Sequence, residues 1–93
     1  MHADLPGGEL IAAGLADLRA GKATVAALLI SIGASRLRAA GIDVPAGLPH
    51  ANGRLYDLLA AEHGDAAHSR YNALIRRLVS FERAAELVAR LNA

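Results

Sequence analysis

The run from Ala66 to Leu91, AAHSRYNALIRRLVSFERAAELVARL, decides the fold. It contains neither glycine nor proline, so nothing within it stops a helix. Tyr71, Leu74, Ile75, Leu78, Phe81 and Ala85 recur at helical spacing and share one wide arc of a helical wheel. Just upstream, Gly64 reads as the stop of a preceding helix and Asp65 as the N-cap of this one. A helix over about Ala66–Leu91 would be roughly 40 Å long at 1.5 Å per residue. A compact domain of this chain length is only about 30 Å across. The last helix is therefore expected to overhang its own domain unless it bends.

The apolar stripe also swings by more than a quarter turn along this run. Leu87, Val88 and Leu91 leave the arc that holds Leu78 and Phe81. They are expected to face something other than the rest of the domain, most simply a second copy in a two-fold dimer.

Working back toward the amino terminus, glycine and proline divide the chain into three more helical segments. The segment from about Gly7 to Ala20 carries Ile11, Leu15 and Leu18 at helical spacing, with Leu10 beside them and Gly21 in the capping position. The segment from about Val25 to Ala40 starts with Thr24 as its N-cap. Its opening run, VAALLISI, is apolar nearly all round, which predicts burial on several sides. Gly33, Ala34 and Ser35 are small enough for another helix to cross closely there. Arg36 and Arg38 stand in its last turn, where cations suit the helix dipole. Gly41 is expected to cap it, with Ile42 folding back onto Leu37 in a Schellman motif. The connection GIDVPAGLPH, Gly41–His50, has two prolines and two glycines and cannot be one helix. Ile42, Val44 and Leu48 are expected to pin it to the bundle. The segment from about Asn52 to His63 turns Leu55, Leu58 and Leu59 inward and leaves Tyr56 at the edge.

The expected fold is therefore all-α: a single domain over residues 1–93, a small four-helix bundle-like arrangement with a long C-terminal helix. Composition agrees. Hydrophobic residues make up 54% of the 93 residues and aromatics 3%. About a quarter of the chain is alanine, the strongest helix former. Nine of the ten basic residues are arginine, a bias associated with GC-rich bacterial genomes. A formal net charge of +1 supplies no global field toward nucleic acid or an anionic membrane. The chain has no cysteine, which excludes disulfides and thiolate metal sites. The first ten residues, MHADLPGGEL, lack the basic start and apolar run of a signal peptide. The most apolar window, Val25–Ile32, is far shorter than the ~20 residues that span a bilayer. A cytoplasmic protein with no membrane partner is expected.

Reactive side chains concentrate in EHGDAAHSRYN, Glu62–Asn72. His63, Asp65 and His68 are acceptable zinc, nickel or copper ligands. Helical metal pairs sit at i and i+4 on one continuous helix, however, and Gly64 interrupts these. Gly64 and Asp65 are explained by ending one helix and starting the next, so no metal and no cofactor is expected. Capping does not explain His68, Arg70, Tyr71 and Asn72. They place an imidazole, a guanidinium, a phenol and an amide at the root of the long helix. Two readings follow. One is a spot that binds a small anion or a partner. In the other, His68 and Asn72 hydrogen-bond the loop after Gly41 and Arg70 is solvated.

No catalytic set is present. His68 and Ser69 point about 100° apart on a helix, so the imidazole does not serve the hydroxyl. Ser31 and Ser35 lie in the most apolar helix and read as small packing residues. Arg76, Arg83 and Arg90 recur every seven residues and form a basic edge, but Glu86 can pair with Arg90 at i and i+4, and Glu82 adjoins Arg83. The leading expectation is a small non-enzymatic interaction or regulatory module that self-associates through Leu87, Val88 and Leu91 or meets another protein. The alternatives are nucleic-acid binding along Arg76, Arg83 and Arg90, and a ligand site at a dimer interface around His68.

Overall fold

In the computed structural model, residues 4–92 are described; Met1–Ala3 and Ala93, the ends of the expected 1–93 domain, lie outside them. The helices are α1 (Gly8–Arg19), α2 (Val25–Ile32), α3 (Ala34–Ala39), α4 (Ala51–His63) and α5 (Ala67–Leu91). A single 3-10 turn, Gly64–Ala66, joins α4 to α5. This is the expected all-α, four-helix arrangement with a long last helix, except that the second helix is broken at Gly33 into α2 and α3.

The core is built around α2, which packs against α1, α4 and α5. Leu28, Leu29 and Ile30 are fully buried, as an all-round apolar helix must be, and Leu37, Leu55 and Phe81 close around them. Gly14 sets the approach of α1: a Cβ there would stand 2.5 Å from the Ala26 carbonyl oxygen and run into Ile30 Cγ1. Only glycine lets these two helices cross so closely. Gly33, where the second helix breaks, meets the same need. A Cβ there would lie 2.7 Å from Glu82 Oε2 and 3.0 Å from Leu78 Cδ1, so α5 crosses at this residue. Hydrogen bonding carries over the break, with Gly33 N–H donating to Leu29 O and Leu37 N–H to Gly33 O. Of the small residues beside it, Ala34 is buried, whereas Ser35 faces solvent and packs against nothing inside.

The caps are local chemistry that sequence exposes. Thr24 Oγ1 accepts from Ala27 N–H at 3.1 Å and donates to Asp17 Oδ2 at 2.7 Å, tying the start of α2 to the end of α1. Ile42 N–H donates to Leu37 O and Gly41 N–H to Arg38 O, the Schellman pair. Asp65 does not cap α5. The 3-10 turn moves the helix start to Ala67, and Ala66 occupies the capping position with no side-chain bond.

The connection from Gly41 to His50 has no regular structure and is held by side chains from the helices around it. Arg19 donates to Asp43 O, and Arg38 to Val44 O and Pro45 O. Ser31 is more than a packing residue: its Oγ donates to Ala27 O and accepts from Leu48 N–H, both at 2.9 Å. Ile42 and Val44 are buried beneath.

At 1.5 Å per residue the 25-residue α5 is about 37 Å long. The molecule measures 43 × 25 × 18 Å, so α5 runs most of its length. Among the described residues, no helix is long and apolar enough to cross a membrane.

Candidate functional site

Three groups of side chains along α5 can meet a partner or ligand. The first is the root. Tyr71 is half-buried; its hydroxyl donates to Asn52 Oδ1 on α4 at 2.8 Å, and its ring lies 5.8 Å from that of Tyr56, tilted by 56°. This is an α4–α5 tie, and aromatic pairs in this geometry attract beyond their area. His68 and Asn72 come together one turn apart, with Asn72 Nδ2 3.2 Å from His68 Nε2. They bond each other, not the loop after Gly41. Arg70 points elsewhere. It lines a groove of about 380 Å³ with Val25, Leu59, Glu62, His63, Leu74 and Arg77. The four residues thus divide between an exposed imidazole–amide pair, an interhelix tie and a groove. Among the described residues, no three of His, Cys, Asp and Glu stand close enough to hold a metal ion.

The second group lies in the middle and was not legible as a unit. Arg36 on α3 reaches two carboxylates of α5. Its Nε and Nη2 donate to Glu86 Oε2 and Oε1 at 2.8 and 3.1 Å, and its Nη1 donates to Glu82 Oε1 at 3.2 Å. The planar fork suits this bidentate contact, which an ammonium would not reproduce. Glu82 is 4% exposed, and burial raises its carboxyl above the usual range while Arg36 partly opposes the shift. For Glu86 the hydrogen bond from Arg36 dominates and lowers it. The same bond raises the guanidinium. The expected Glu86–Arg90 pair does not form, because Glu86 turns to Arg36. Arg76, Arg83 and Arg90 are left exposed on α5, and the only ion pairs among the described residues are those of Arg36.

The third group is the end of the helix. Leu87 is 51% exposed and Leu91 75%, while Val88 is half-buried. Among the described residues, the large apolar side chains left in solvent are Leu87, Leu91 and Tyr56. On another side of α5 a shallow groove is lined by Ala39 and Ala40 at the end of α3 and by Glu86, Ala89 and Arg90. His68 lies about 28 Å from Leu87 along the helix axis, so the root and the end are separate places.

Compared with models of known protein families, with curated proteins and with solved structures, the chain matches none.

Proposed function

We propose that this chain is a small helical interaction module that pairs with a second copy of itself through the end of α5. The observation that carries this reading is the exposure of Leu87 and Leu91, one turn apart, on a helix whose large apolar residues upstream are all buried or half-buried. Removing these four leucines of a dimer from water is worth about 5 kcal/mol. Association costs at least about 4 kcal/mol in lost freedom. The leucines alone therefore give a weak pair. Such a dimer is concentration-dependent and suits an adaptor or regulatory role better than a permanent scaffold.

Sedimentation velocity across a wide concentration range tests this. The average mass should rise toward twice that of the chain, and the double variant Leu87→Glu/Leu91→Glu should stay monomeric. A wild-type chain that remains monomeric at the highest concentration overturns the reading.

A second reading has its own support. Glu82 and Glu86 pair with Arg36, so Arg76, Arg83 and Arg90 form an exposed basic row that no acid pairs directly among the described residues, although Glu86 stands near enough to feel the charges of Arg83 and Arg90. Such a row suits an anionic polymer, DNA or RNA. Anisotropy with mixed-sequence DNA and RNA at two salt concentrations decides it. Binding that weakens steeply with salt supports this reading, and no binding at low salt removes it.

A further inference from the structure

We infer that the groove between the end of α4 and the first half of α5 binds a small amphiphilic carboxylate. The apolar tail would lie on Val25, Leu59 and Leu74, and the carboxylate between Arg70 and Arg77.

The groove has the size of a ligand site, about 380 Å³. Its floor is firm, because Leu59 is only 3% exposed and belongs to the core. Its bank on α5 is cationic. Arg70 and Arg77 stand two turns apart on one face, about 10.5 Å along the axis, which is within reach of a single anion from both sides. The residue between them on that face is Ala73, whose small side chain leaves the gap open. Neither guanidinium makes an ion pair or a side-chain hydrogen bond among the described residues, although the arginines that hold the fold do. The opposite bank offers Glu62 and His63, and Glu62 is the single acid in the lining. Two free arginines against one glutamate favour an anion, and the apolar floor favours one with a hydrocarbon tail. A guanidinium fork matches a carboxylate in two parallel bonds. The neighbouring groove between Arg76 and Arg77 has two arginines and no acid, but Pro6, Gly7, Ala73 and Ser80 give it no large aliphatic floor.

This site is independent of self-pairing, which uses Leu87 and Leu91 at the far end of α5. The test is therefore run on the Leu87→Glu/Leu91→Glu chain as well as on the wild type, and both should behave alike. Sodium octanoate is titrated while amide chemical shifts are followed by NMR. Saturable shifts should appear at Val25, Leu59, His63, Ala73 and Leu74, with a dissociation constant of the order of 1 mM, as expected for about ten heavy atoms on an open groove. Octanol, which keeps the tail and loses the charge, should bind about tenfold more weakly. Arg70→Gln/Arg77→Gln should abolish that preference for the acid. Ala73→Leu fills the gap while keeping both charges, and should weaken octanoate by a similar factor. The inference is overturned if the shifts do not saturate, if they scatter over other apolar surfaces, if octanol binds as tightly as octanoate, or if Ala73→Leu binds like the wild type.

Discussion

Over Tyr71–Ala85, α5 buries Leu78, Phe81, Glu82 and Ala85. Over Leu87–Leu91, one turn later, it leaves two leucines largely in water. The two stretches do not differ in residue type or in helix propensity. What differs is the side of the helix on which the residues stand. Leu78, Phe81, Glu82 and Ala85 share the face that meets the core. At about 100° per residue, Leu87 and Leu91 stand on the far side of the same helix. A stripe that swings round its helix exposes the same chemistry it buries elsewhere, and that surplus is what a partner can use.

Five variants probe this contrast. The largest effect is expected from Phe81→Ala, which empties a fully buried site in the first half. It should cost about 3–5 kcal/mol, against a total near 5–14 kcal/mol for a chain of this size. Denaturant unfolding measures it, and a loss under 1 kcal/mol would mean that this half is no better packed than the end.

The boundary between the halves is the Arg36 cluster, and its two carboxylates should respond to pH in opposite senses. Glu82 is raised by burial, so its contribution is present below the unfolded value and is lost as pH rises through the folded one. Glu86 is lowered by its bond to Arg36, so its contribution is present above the unfolded value and is lost as pH falls through the folded one. Glu82→Gln should therefore gain on the wild type, in melting temperature, as pH rises above the ordinary glutamate range, while Glu86→Gln should lose ground as pH rises toward that range from below and stay level above it. Parallel trends would refute the assignment of burial to one and pairing to the other.

Tyr71→Phe removes only the bond to Asn52 at a solvent-exposed edge and should cost about 0.5–1 kcal/mol. Smallest of all, Leu91→Ala should change the unfolding free energy of the dilute chain by less than about 0.5 kcal/mol. The same change should weaken pairing roughly fiftyfold, because the two leucines lost per dimer carry about half of the ~5 kcal/mol. A large stability loss in dilute solution would place Leu91 in the core and erase the contrast.

What could be read from the sequence was what depends on neighbours along the chain. The Thr24 cap, the Gly41 Schellman turn and the length of α5 rest on residues within a few positions of one another. The exposure of Leu87 and Leu91 followed from the drift of the stripe. What escaped reading depends on residues far apart. The need for glycine at position 33 comes from Glu82 and Leu78, whose atoms occupy the space a Cβ would need. Arg36 takes Glu86 from 50 positions away, and that long-range fork outcompetes the local pairing with Arg90. Asp65 misled because a 3-10 turn absorbed the position that a simple helix start would have given it. In the groove, the seven-residue spacing of Arg70 and Arg77 was visible, but the floor beneath them comes from α2 and α4.

The stitched connection from Gly41 to His50 carries one more consequence. Proline- and glycine-rich stretches without regular structure are the usual places for a protease to enter. Cleavage needs several residues to leave the surface together, and here Arg19, Arg38, Ser31 and Arg54 grip five backbone groups between Asp43 and Pro49. Opening this segment would uncover Ile42 and Val44 at the same time. A broadly specific protease should therefore leave the irregular stretch intact while the protein is folded, and the Leu48 amide, which Ser31 holds, should exchange slowly with solvent.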